Sequence, residues 1–264
     1  MSALDQLLTD LAEENDDLDA RVADLPDSDW ARGTPAAGWT VAHQVAHLAW
    51  TDQVAVLAAT DLDGFTEVLT GAAADPMGFV DAVAERDATQ PPPQLLQRWR
   101  QGRAQLLAAL AAATPGEKLP WFGPPMSPTS MATARLMETW AHGQDVADAL
   151  GQRRVPTARL RHICHIGVRT RGFAYLVNGL TPPTGDVRVE LAAPDGELWC
   201  WGESDTDVVQ GPAEDFCLRV TQRRHLDDLA LRTTGAGAEE WLRIAQAFAG
   251  PPGPGRAPAT VPSS

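Results

Sequence analysis

Two pairs of side chains have the types and the spacing to do chemistry together. His43 and His47 are four residues apart, and so are Glu138 and His142. On a helix, residues four apart stack on one face, so each pair can aim at a single point. Where two such helices are neighbours, imidazole and carboxylate groups converge between them, and helical bundles build metal sites in this way. A mixed His/carboxylate set suits zinc, nickel, iron or manganese. Three protein ligands leave a coordination position for water or substrate and make a catalytic centre. A closed set of four, with His43 included, makes a structural or sensing one. Asp145 lies three residues beyond His142 and can orient a ligand or take a proton, and His43 is the other candidate base. A lone helical histidine is usually an ordinary surface or core residue, and a Glu–His pair four apart is often only a local contact, so spacing alone does not select the metal reading.

The elements that must position these groups can be read from periodicity. Leu4, Leu7, Leu8, Leu11, Leu18 and Val22 recur near helical spacing, with acids on the opposite face. After a turn-rich stretch at 26–38, Thr40 is an N-cap for a second helix running to about Thr60. A shorter helix is expected to open at Asp75-Pro76, with Asp as cap and Pro in the first helical position. The run Pro91-Pro92-Pro93 introduces a long helix over 94–113, which stops before Pro115-Gly116. A loop containing Trp121, Phe122 and Met126 follows; it is either a cover for the site or a plain connector. Thr129 or Ser130 then caps a helix to Leu150, with Gly151 as its stop.

Four main helices and a crossover segment predict an antiparallel bundle over residues 1–155. Residues 156–249 read as a small α/β domain. It holds a helix over 158–178, two alternating strands over 187–191 and 197–201 joined at Pro194-Asp195-Gly196, and helices over 213–223 and 238–248. The expected class is therefore α+β. The stretch 250–264, rich in Pro, Gly and Ser, is expected to be disordered.

Two separated segments resemble a known family. The run Gly38-Trp39-Thr40 through His47-Leu48 is similar to the opening of the metal-binding helix in the DinB-like superfamily, and within it to the mycothiol-dependent maleylpyruvate isomerase group. The run Glu138-Thr139-Trp140-Ala141-His142 resembles that family's second ligand motif. The resemblance covers about residues 1–150. It implies a four-helix bundle with His47, Glu138 and His142 as metal ligands, and it leaves His43 outside the set. It further implies a low-molecular-weight thiol of the mycothiol type as cofactor, and transferase or isomerase chemistry on a small electrophile. Coordination lowers a thiol's pKa enough to give the thiolate nucleophile. A metal-activated water, and hence hydrolysis, is open on the same residues, as is a non-catalytic binding module.

The second half is less specific. Gly211-Pro212-Ala213-Glu214-Asp215-Phe216-Cys217 and Thr221-Gln222-Arg223-Arg224-His225 faintly resemble a wyosine-base-formation domain, and are equally compatible with the small C-terminal domain of the isomerase group. Arg223 and Arg224 can hold a carboxylate of a cofactor or complement a helix end. Trp199 and Trp201 share one face of a strand, and Cys217 reads as a small buried apolar residue.

Composition bounds the partners. A net charge of -14 and a pI near 4.7 speak against a nucleic-acid groove. Lys118 is the sole lysine, so Arg is the default cation, as in high-GC bacterial coding. Cys164, Cys200 and Cys217 have no metal-type spacing and are an odd, sparse set, which fits a reducing cytoplasm. The N-terminal residues lack the pattern of a signal peptide, and the longest apolar run, near 106–113, is too short for a bilayer. A cytoplasmic monomer or homodimer acting on a small molecule is expected.

Overall fold

The computed structural model describes residues 2–114, 116–253 and 255–259, and the chain divides into two compact units, Met1–Arg154 and Val155–Ser264.

In the first unit, Ser2 and Asp5 form a reciprocal capping box that starts α1 (Ala3–Val22). A single turn, α2 (Asp27–Trp30), leads to α3 (Val41–Thr60), whose sides are buried almost all round. An apolar helix of this kind belongs at the centre of a bundle. There α3 packs against α6 (Pro92–Ala112) and α7 (Pro128–Leu150), and α1 packs against both of those helices. Leu18, Val22, Trp30, Val45, Leu48, Leu95, Trp99 and Val146 fill the space between them. The Gly151 stop is as expected, with a left-handed φ of 65°, but the cap of α7 is Ser127 with Pro128 at the first helical position.

Two further helices pack on α3: α4 (Leu62–Ala74) and α5 (Phe79–Ala88). The first was not expected, and the second starts three residues after Pro76. Asp61 closes α3 through its backbone N–H and opens α4 through its carboxylate, so no loop separates the two helices. Asp75 accepts from the Gly78 N–H and forms a turn in front of α5. Arg98 donates to Asp87 at 2.6 Å, and Arg100 and Arg103 converge on Asp19 at 2.5 and 2.6 Å, tying α6 to α5 and α1.

The second unit opens with α8 (Leu160–Arg169) and α9 (Arg171–Val177) in place of one continuous helix. They divide at Thr170, whose hydroxyl donates back to the Ile166 carbonyl at 2.9 Å and competes with the helix ladder. Strands β1 (Arg188–Ala192) and β2 (Leu198–Trp201) form the expected hairpin, with Leu191 opposite Trp199, and Gly196 adopts φ 90° in its turn. Two strands not anticipated, β3 (Val208–Pro212) and β4 (Arg232–Thr234), extend the sheet to the order β2-β1-β3-β4. β1 and β3 are parallel and the other neighbours antiparallel. Helices α10 (Ala213–Val220) and α11 (Ala236–Ile244) complete the unit. Described residues 251–259 have no helix or strand, and the Ala259 N–H donates to Asp228. Of the stretch expected to be disordered, Pro254 and residues 260–264 lie outside the described residues.

Cys164 and Cys217 are free, buried thiols with sulfurs 3.5 Å apart, and burial pushes Cys217 well above the usual thiol range. Next to them, Gly167 lets α8 and α10 approach closely. A Cβ there would lie 2.9 Å from Val220 Cγ2 and 3.1 Å from Phe216 Cε1. Gly167→Ala is expected to destabilise the chain by about 1–3 kcal/mol through overpacking, read from the midpoint of chemical denaturation. An unchanged midpoint would mean that the two helices yield at no cost.

Candidate metal centre

His47 lies near the middle of α3, and Glu138 and His142 one turn apart on α7. The two helices are held in register by buried charge. Arg135 Nε donates to Asp52 Oδ1 at 3.0 Å, joining α7 to α3. The chain leaving α7 is fixed to α1 by Arg154, which donates to Glu14 and, at 3.0 Å, to Asp17. The same guanidinium reaches back to the Trp140 carbonyl at 2.8 Å, passing over Gly143, where any Cβ would crowd it at 3.3 Å.

Register and helical spacing bring three donors together. His142 Nε2 is 3.1 Å, and His47 Nε2 3.6 Å, from Glu138 Oε2. One donor atom from each residue lies within 4.8 Å of the others, the one such group found among the described residues. Burial works against ionising Glu138, but the hydrogen bond with His142 and the nearby His47 ring outweigh it and hold the carboxyl well below the usual range.

The polar contacts of this cluster fit a divalent ion. His142 Nδ1 faces the Gln44 amide oxygen at 2.5 Å while Nε2 faces the Glu138 carboxylate. A neutral imidazole has one N–H. The ring therefore meets both acceptors only as an imidazolium, or with a cation between Nε2 and the carboxylate. Two imidazoles and one carboxylate are a donor set for zinc and its neighbours.

Indole rings surround the imidazoles. Trp39 stacks on His142 with ring centroids 6.0 Å apart and lies 5.4 Å from His47, its Nε1 donating to Asp81 at 3.0 Å. Trp50 lies 6.2 Å from His47 and continues into Phe79 and Phe122. The loop before α7 thus contributes aromatic packing to this end of the bundle: Trp121 and Phe122 also pack on Phe65, and Leu119 and Met126 pair across its base.

The other residues singled out from the sequence are placed differently. His43 does not join the cluster. The Thr40 N–H donates to its Nδ1 at 3.2 Å, so its Nε2 carries the proton and donates to Glu85 at 2.7 Å. His43→Ala is accordingly expected to leave metal content per chain unchanged, as measured by elemental analysis. Loss of metal in that variant would put His43 in the ligand set. Asp145 is fully buried on α7. Arg223 and Arg224, in the second unit, donate at 2.7 Å to the carbonyls of Thr221 and Arg223 at the end of α10. Gln44 and Thr34 were not legible as site residues; the one signal is that Gln44 lies three residues before His47 on α3.

Fold and site together define a helical-bundle protein with a two-histidine, one-glutamate cluster between neighbouring helices. The family model described as the mycothiol maleylpyruvate isomerase N-terminal domain matches residues 11–147, and the chain belongs to that family. Proteins from two strains of Mycobacterium tuberculosis, both described as uncharacterized, are 58% identical over 250 residues, covering 94% of this chain and 97% of theirs. The crystal structure of the mycothiol-dependent maleylpyruvate isomerase superposes with a TM-score of 0.59 at 15% identity, covering 88% of this chain and 93% of that one. A histidine-to-alanine mutant of the same enzyme also gives 0.59, at 14% identity. These superpositions cover more of the chain than the bundle alone and establish the α+β fold. No described helix is long and apolar enough to cross a membrane.

Proposed function

We propose that the chain is a metal-dependent enzyme of the thiol-using kind, a transferase or isomerase that acts on a small electrophilic metabolite with a mycothiol-type cofactor. The observation that carries this reading is the number of donors. Three protein groups converge, and the nearby His43 is engaged by Thr40 and Glu85 instead of completing a closed set of four. Family membership supports the choice of thiol.

His47, Glu138 and His142 would hold the ion. When bound, a divalent metal, zinc first among the candidates, supplies the Lewis acidity that lets a thiol react as its thiolate near neutral pH. The residues of the chain do the rest. Glu138 offsets positive charge, and its deep ionisation keeps it a donor across the physiological range. Trp39 and Trp50 wall off the imidazoles from water, which strengthens every polar interaction between them. His43, half-buried and bonded to the exposed Glu85, is the candidate proton carrier at the rim, and Asp145 is a buried support on the ligand helix.

Thermal shift with a mycothiol-type thiol tests the reading. The thiol is expected to raise the melting temperature of the metal-loaded chain, and to do so neither after chelation nor with its sulfur methylated. An equal shift in all three samples would remove the sulfur and the metal from the binding event and end the thiol reading.

A further inference from the structure

We infer that Gln44 is a positioning residue that fixes the tautomer of His142, through a relay of hydrogen bonds anchored on a backbone carbonyl of the turn before α3. The inference rests on reading the cluster as a metal centre, but its direct observable does not require the metal.

The chain of donors can be followed from its fixed end. The Thr34 hydroxyl lies 2.9 Å from the Trp39 carbonyl, which can only accept, so the hydroxyl hydrogen points there. The turn that carries this carbonyl is itself held. The Thr34 N–H donates to the same oxygen at 2.7 Å, the Trp39 N–H donates to Ala36, and Gly38 takes the positive φ of 78° that the turn requires. With its hydrogen committed, Thr34 Oγ1 can only accept from Gln44, at 2.8 Å, and this orients the Gln44 amide with Nε2 toward Thr34. Its oxygen is then the atom facing His142 Nδ1 at 2.5 Å. An amide oxygen accepts, so Nδ1 must carry the proton. In the neutral ring that leaves the lone pair on Nε2, the nitrogen that faces Glu138 and His47.

The two partners at the cluster end of the relay are shielded from solvent. Gln44 is completely buried, and the ring that it steers is buried under the stacked indole of Trp39. The relay ends in Trp39's own carbonyl, so the residue that stacks on His142 also anchors the bond that orients it. Metal-ligating histidines commonly give their second N–H to a carboxylate or carbonyl, which raises ligand basicity and locks ring rotation. A side-chain amide performs the same task here without adding a second negative charge beside Glu138.

The test uses the full chain and zinc alone. Long-range proton–nitrogen NMR of the histidine side chains, with His142 assigned by its disappearance in His142→Gln, is expected to show a proton on Nδ1 both with and without zinc. A His142 ring protonated only on Nε2 in the zinc-free chain would overturn the relay. Gln44→Leu keeps the side chain's size and removes the acceptor, and is expected to weaken zinc binding about 10–100-fold. Gln44→Glu retains an acceptor for Nδ1 and is expected to stay within a few-fold of the parent chain. Equal zinc affinity in Gln44→Leu and the parent would contradict the inference, as would equal losses in both variants. Should Gln44→Leu fail to fold, the NMR result still decides. A parent chain that binds no zinc defeats the proposed function, whereas the tautomer separately tests the relay.

Discussion

Replacing His142 by alanine is expected to empty the site: metal in the purified chain should fall from roughly one equivalent to background, with the bundle still folded. The same holds for His47→Ala. Both rings reach the cluster through Nε2 from different helices, so neither can substitute for the other. An alanine at either position leaves one imidazole and one carboxylate, too few donors to compete for zinc against buffer and cellular ligands. Folding should survive because the bundle core is built from apolar residues apart from the site, Leu18, Leu48, Leu95 and Trp99 among them. Elemental analysis and far-UV circular dichroism on the same samples read the two effects separately. Full retention of metal in both variants would move the ion elsewhere. Loss of the fold together with the metal would assign it a structural role.

The second large effect concerns the bridge that sets the two ligand helices against each other. Arg135 and Asp52 are each about 2% exposed and meet at 3.0 Å. Burial pushes the Asp52 carboxyl above its usual range, and Arg135 is the main influence pulling it back. Arg135→Met therefore leaves a buried carboxyl without its partner and is expected to cost about 3–5 kcal/mol of stability. Adding Asp52→Leu should recover most of that loss, because an apolar pair of similar volume avoids the desolvation cost of both charges. Urea denaturation of the single and double variants checks this. If the double variant is no more stable than Arg135→Met, the loss is one of packing and not of stranded charge.

The parts of this molecule that were readable from its sequence are those set by local rules. Helical spacing marked His47, Glu138 and His142 as able to converge, and the Trp39-Thr40 and Glu138–His142 segments separated His47 from His43. The alternation around Trp199 and Trp201, with a Pro-Asp-Gly turn before them, was enough for one hairpin. What was missed depends on contacts between distant segments, or on residues that serve two elements. Asp61 ends α3 and caps α4 at once, so no loop marks the boundary between the two helices. Strand β3 pairs in parallel with β1 across an intervening hairpin, and nothing within Val208–Pro212 announces that partner. Gln44 is the plainest case. An amide on a helix has many uses, and its role appears only once α3 and α7 are known to face each other and Thr34 is folded back onto Trp39.

The proposed function requires a divalent ion among His47, Glu138 and His142 with room left for a thiol. Anomalous diffraction from crystals of the full chain, recorded on either side of the zinc, nickel, iron and manganese edges and after soaking with the thiol, tests it most directly. One anomalous peak is expected, bounded by the two Nε2 atoms and the Glu138 carboxylate, with the thiol sulfur next to it after soaking. Crystals in which this position gives no anomalous peak, or a peak closed off by a fourth protein ligand that the thiol does not reach, would contradict it.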